Sequence, residues 1–162
     1  MRIETTRFGS QEVEQDTIFH FPNGLLNDTK LTEFKLFHKE DQSSNTEEQS
    51  ADPVVFWLQS VDDPSIAYSI FDPSLANFYY HVALPDEDYA LLESKDSDEI
   101  AMMVIIKNNK SDNALEKKGL TLVNANITEP LFINLQSLKG LQRSIKELEH
   151  DIFLNIPIVE NQ

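Results

Sequence analysis

Apolar positions along this chain fall mostly in short runs or alternate with polar ones, the spacing of strands more than of helices. Arg2 to Phe8 alternates, with Ile3, Thr5 and Arg7 on one face and Glu4, Thr6 and Phe8 on the other. Gly9-Ser10 is a turn signal, and Gln11 to Phe21 returns as a second strand carrying Val13, Ile18, Phe19 and Phe21. Pro22-Asn23-Gly24 ends it, and Phe34, Leu36 and His38 alternate in a third strand. Val54 to Val61 and Ile66 to Phe71 read as the fourth and fifth, each closed by an Asp-Pro pair (Asp63-Pro64 and Asp72-Pro73). Proline fixes its own φ and pushes the preceding residue toward extended conformations, so Asp-Pro is strand-ending punctuation.

Phe78 to Leu84 is read as a sixth strand. Asp86 to Ser94 is the best helix: Pro85 precedes it, acids fill its first turn, and Tyr89, Leu91 and Leu92 form an apolar face. Ile100 to Lys107, dense in Ile, Val and Met, reads as a buried strand, followed by Leu120 to Asn124 and Pro130 to Leu135. Ser137 to His150 admits two readings. Leu141, Ile145 and Leu148 suit a helix, whereas Gly140 to Ile145 suits a strand. Many short strands at close spacing predict a mainly β sandwich or small barrel with one or two short helices.

Length and composition narrow the class. The 162 residues make one domain, 1–162, with a single core. No cysteine is present, so disulfides, thiolate zinc sites and cysteine nucleophiles are excluded. The N-terminus lacks the apolar stretch of a secretory signal, and the longest apolar run, Ile100 to Ile106, is too short to cross a bilayer. A soluble, cytoplasmic protein is expected.

The net charge of −15 is unevenly placed. Residues 1–106 hold 6 Lys/Arg against 21 Asp/Glu, while residues 107–162 hold 7 against 7. The acidity therefore belongs to the first two-thirds, a field that repels nucleic acid and speeds encounter with a basic partner. The same acidity also serves plain solubility. Residues 40–52, EDQSSNTEEQSAD, carry five acids and almost nothing apolar, and are expected to be a mobile acidic loop. Residues 108–119 are read as a second polar loop.

Catalytic patterns are missing. The four glycines are isolated at apparent turns, which rules out a Gly-rich phosphate loop. G-x-S-x-G and H-E-x-x-H do not occur, and His20, His38, His81 and His150 share no ligand spacing. His20, between Phe19 and Phe21, should face away from both as a surface or partly buried residue. No catalytic residue, cofactor or metal is expected.

Several segments, in order, resemble one family. Ile3, Thr5, Phe8-Gly9, Glu12-Val13, Ile18, Phe21-Pro22 and Gly24-Leu25 come first. Phe56 with Leu58-Gln59-Ser60, Asp63-Pro64, Ala67 and Asp72-Pro73 form the centre. Asn124-Ala125-Asn126, Pro130, Ile133-Asn134, Gly140 and Gln142 follow. Together they resemble the flagellar assembly factor FliW family. Leu26-Asn27-Asp28-Thr29 departs from that family's usual Pro-Gly-Phe-Glu, Glu129 replaces its usual Ala, and the acidic insert lengthens a connection.

The resemblance implies a compact, mainly antiparallel β-barrel-like domain and a partner-switching regulator without catalysis. It implies two partners, the RNA-binding translational repressor CsrA and flagellin; direct nucleic-acid binding and a membrane are not expected, from the acidic charge and the short apolar runs. Phe56, Gln59, Ser60, Asp63, Phe71 and Asp72 are then the candidate partner-contact residues. The polar members have a second reading as turn caps that satisfy strand-end amides. The rival function is a small β-barrel enzyme or ligand-binding protein that uses the barrel mouth.

Overall fold

The computed structural model describes residues 1–38, 55–95, 98–106 and 125–154. The acidic stretch 40–52, the polar loop 108–119 and the strand expected at 120–124 lie outside them. The described chain forms eleven strands and one α-helix. Strands β1 (Arg2–Thr5) and β2 (Gly9–Glu12) make an antiparallel hairpin. A closed barrel follows from β3 (Ile18–His20), β4 (Glu33–His38), β5 (Val55–Ser60) and β6 (Ala67–Phe71). It is completed by β8 (Ile100–Ile105), β9 (Leu131–Asn134) and β10 (Lys139–Gln142). Strands β7 (Phe78–Ala83) and β11 (Glu149–Leu154) form a separate two-stranded ribbon. The helix α1 (Asp86–Leu91) leads from β7 toward β8.

Round the barrel the order is β10-β3-β4-β5-β6-β8-β9. Every junction is antiparallel except β10 with β3, which pair in parallel at Lys139 and His20. The His20 amide donates to the Leu138 carbonyl there, at 2.8 Å. Side chains fill the barrel. Phe21, Phe34, Leu58, Ile70 and Leu131 are at most 1% exposed and share one cluster. Closing the sheet gives every barrel strand a neighbour on both sides, and inward alternation along each strand supplies this core.

Three expectations change. The single strand read over Gln11–Phe21 is two strands in two sheets, separated by a 3-10 turn at Gln15–Thr17. The polar run Glu14-Gln15-Asp16-Thr17 offers nothing to bury, and the Thr17 hydroxyl and amide both donate to the Glu14 carbonyl, turning the chain. This bend lets Val13 and Ile18 converge on Ile3 in a small cluster beneath the hairpin. Second, of the two readings of Ser137–His150 the helix fails and the strand holds in part, shifted and shortened: the segment forms β10, a 3-10 turn at Ile145–Glu147 and the start of β11. Leu141, Ile145 and Leu148 are all buried, so their spacing marked the core without marking a helix. Third, the helix does not bury Tyr89, which is exposed; it buries Leu92 just beyond its end and the carboxylate Asp88.

His20 is half-buried as expected, its Nδ1 3.7 Å from Glu33 Oε1. Among the described residues no helix is long and apolar enough to cross a membrane.

Candidate functional site: two faces around the Asp-Pro stops

The first Asp-Pro stop closes the β5–β6 turn, and Gln59 organises it. Gln59 is fully buried, and its Nε2 donates to the carbonyls of Ser60 and Ile66 at 3.0 Å. The same nitrogen lies 3.3 Å from the Asp63 and Pro64 carbonyls. One side-chain amide therefore gathers the carbonyls of a tight turn, adding to the backbone amides that the Asp63, Pro64 and Ile66 carbonyls already accept. Its Oε1 is buried with no partner among the described residues. The hydroxyl of Ser60, also fully buried, accepts from the amides of Asp62 and Asp63 at 3.2 and 3.0 Å. Asp63 Oδ1 then accepts from the Ser65 amide and hydroxyl at 2.9 and 2.6 Å, an Asx turn. Those two donors hold the Asp63 carboxyl below its ordinary range.

The second stop repeats this chemistry. Asp72 caps a 3-10 helix at Pro73–Ala76, accepting from the Ser74 amide at 2.9 Å and its hydroxyl at 2.7 Å. Asn77 ends that helix in the left-handed region, at φ 59°. Of the six sequence candidates, Gln59, Ser60 and Phe71 are thus fully buried, while Phe56, Asp63 and Asp72 are half-buried. Phe71 packs with Val104, Ile106 and Ala125. Phe56 packs against the main barrel cluster and meets His38 edge to face, with centroids 6.4 Å apart. The six do not form one patch: Gln59 lines one surface cleft and Asp72 another.

On the β5 side, Arg7 from the β1–β2 turn lies 3.7 Å over the Trp57 ring, a cation–π contact. Phe8 stacks on Phe37 at 4.6 Å and meets Trp57 at 6.4 Å. The Thr6 amide donates to the Pro64 carbonyl at 2.8 Å, so the hairpin docks onto the 63–66 turn. Thr6, Arg7, Gln59 and Ser65 line the cleft between them, about 330 Å³ in volume.

Past the other end of β6, a groove of about 390 Å³ runs between the Asp72 turn, β7 and β8. Phe78, Tyr79, Met102 and Leu135 give it apolar walls, and Asp72 and Glu99 contribute carboxylates. Tyr79 and Leu135 are 40% and 52% exposed, and Phe153, opposite Tyr79 on β11, is 53% exposed. Sequence reading missed this groove because its walls come from four separated segments. Its one local trace was the Asp72-Pro73 stop, which cuts β6 short.

Buried polar groups hold the frame around both faces. Asn134 Nδ2 donates to the Leu92 carbonyl and to Asp98, and its Oδ1 accepts from the Gln136 and Ser137 amides. Gln142 accepts from the Leu26 amide at 2.8 Å and donates to the Glu129 carbonyl at 3.1 Å. Asp88 Oδ2 lies 3.3 Å from Arg143 Nε, tying α1 to the end of β10. Tyr80 donates its hydroxyl to the Ile127 carbonyl, and burial pushes that phenol well up. Among the described residues no cluster of His, Asp and Glu could hold a metal ion.

Comparison with known proteins places these features. The family model described as FliW protein matches residues 2–152. The chain is 36% identical to the flagellar assembly factor FliW of Azoarcus sp. (strain BH72), over 95% of this chain and 97% of that protein. It is 31% identical to the flagellar assembly factor FliW of Chromobacterium violaceum, over 97% of this chain and all of the relative. A crystal structure of the flagellar assembly factor FliW superposes with a TM-score of 0.65 at 22% identity, covering 89% of this chain and 88% of the other. That likeness shows a shared fold.

Proposed function

The chain belongs to the FliW family, and we propose on that basis that it works as a cytoplasmic, non-catalytic regulator of flagellar assembly that switches between two protein partners. One partner is an RNA-binding translational repressor of the CsrA type, which this protein antagonises; the other is flagellin. Flagellin made in excess of assembly would occupy the regulator and free CsrA to repress further synthesis. The match of the family over residues 2–152 carries the reading.

Two physical features support it. The excess of acids in residues 1–106 suits a basic, RNA-binding partner, because complementary fields steer encounter. The exposed apolar side chains around the β7–β8 groove suit a partner held by apolar contact. The rival reading, chemistry in the barrel mouth, needs an interior cavity with perturbed acids or histidines. Phe21, Phe34, Leu58, Ile70 and Leu131 occupy the barrel interior instead, which favours surface docking.

Titration of the purified protein against CsrA and against flagellin tests the reading. Saturable binding to each is expected, with flagellin displacing CsrA. Binding to neither would sink it.

A further inference from the structure

The barrel is closed, yet among the described residues one of its strands keeps an unpaired stretch of backbone edge. Strands β6 and β8 pair only at Ile70 with Ile105 and Phe71 with Val104. Beyond them the Ile106 amide donates to the Ser69 carbonyl at 2.8 Å, which fixes the side of β8 on which Ile106 bonds. Hydrogen-bonding positions on one edge of an antiparallel strand recur every second residue. Val104, Met102 and Ile100 therefore direct their amides and carbonyls to the β6 side, while Met103 and Ala101 bond β9.

Opposite Met102 in this register stands Pro73. It has no N–H to donate, and its carbonyl already accepts from the Asn77 amide in the 3-10 turn. Among the described residues, neither Met102 nor Ile100 has a backbone partner on that side. Both residues line the groove between β8 and β7.

The groove's walls match an extended chain. Tyr79 and Leu135 offer exposed apolar surface along it, and Asp72 and Glu99 contribute negative charge with no Lys or Arg in the lining. A backbone edge with a two-residue repeat, apolar walls and unbalanced acids is the complement of one ligand class. That class is an extended polypeptide segment with apolar side chains at alternate positions and a Lys or Arg among the others.

We propose that such a segment of the apolar-contact partner, flagellin, adds as a strand to the free edge of β8 at Ile100 and Met102. This assignment rests on the reading of flagellin as a partner. Main-chain bonds to the two residues hold the segment, Tyr79 and Leu135 take its apolar side chains, and Asp72 and Glu99 receive its cation.

Residue-resolved amide exchange on the full chain, free and saturated with purified flagellin, tests this. The Ile100 and Met102 amides should exchange freely in the isolated protein and at least about tenfold more slowly in the complex. Leu135→Asp, at an exposed position, should weaken flagellin binding by about tenfold or more while the thermal midpoint holds. Flagellin binding that leaves both amides unchanged overturns strand addition alone, and failure to bind flagellin at all overturns the proposed function with it. Amides already protected in the free protein would place a segment of this chain in the groove. Protection that grows with protein concentration would place a second copy there, and protection by CsrA rather than flagellin would reassign the site. Each of these three results overturns the proposal.

Discussion

Gly140 lies against the ring of Phe21 so closely that a Cβ built on it would sit 2.3 Å from Cζ. Phe21 is fully buried in the barrel cluster, so the ring has nowhere to retreat. Strand β10 is part of the barrel wall, and where Gly140 meets the Phe21 ring it needs a residue with no side chain. Gly140→Ala should therefore cost about 3 kcal/mol, the overpacking range, measured by urea denaturation. An unchanged midpoint would mean that the strand can slide off the ring.

Gln59 supports a second prediction, with opposite chemistry at the same size. Gln59→Leu keeps the volume but removes the donor that serves the Ser60 and Ile66 carbonyls, at a cost of about 2 kcal/mol. Gln59→Glu should be worse at neutral pH, because a buried carboxylate would face carbonyl oxygens and would have to bind a proton to remain. The Glu variant should regain stability as the pH falls through its raised pKa, whereas the Leu variant should not. Parallel pH profiles for the two would refute this role of the amide.

Asp88 gives a pH dependence whose sign follows from its surroundings. Burial pushes its carboxyl up, Arg143 pulls it back, and the nearby Glu87 adds to the rise, leaving a net upward shift. A folded pKa above the unfolded one means that the folded state holds this proton more tightly. Asp88's contribution is then greatest below the ordinary value of 3.8 and shrinks as the pH rises through the raised folded value. Urea midpoints of the wild type should fall relative to Asp88→Asn over that window and run parallel above it. A gap that widens in favour of the wild type on going to neutral pH would show Arg143 outweighing burial.

How much of this was legible in the sequence depended on whether the signal was local. The pairs Ile3 and Thr5, Phe34 and Leu36, and the run from Val55 to Phe71 fell into place because alternation and Asp-Pro stops act within a few residues. Strand β11 was missed, because its pairing with β7, from Glu149–Ala83 to Leu154–Phe78, is a long-range relation that the segment 149–154 does not announce. Ser137–His150 stayed open between two readings, of which the strand held over β10 and the helix did not. Three buried apolar residues at spacings of three and four imitate a helix when a strand and a 3-10 turn happen to place them inward. At the candidate site, the importance of Gln59, Ser60, Asp63 and Asp72 was visible and their capping geometry was one of the two readings open. The groove was not visible, since Asp72, Tyr79, Met102 and Leu135 come from four separated segments that meet only where the β7–β11 ribbon lies beside the barrel.

Asp72 can separate capping from docking, because its two roles use different properties of the same group. As a cap it needs an acceptor oxygen for the Ser74 amide and hydroxyl. As a docking residue in the groove it needs its charge. Asp72→Asn keeps the acceptor and discards the charge, so it should leave stability nearly unchanged, while Asp72→Ala loses the cap and should cost about 1 kcal/mol. If the charge receives a partner's cation, both variants should weaken partner binding by a similar factor despite their different stabilities, and added salt should weaken the wild-type complex more than either variant complex. Urea denaturation and calorimetric titration on the three proteins decide it. Binding loss that tracks stability, with Asn behaving as wild type in both, would leave Asp72 with its capping role alone.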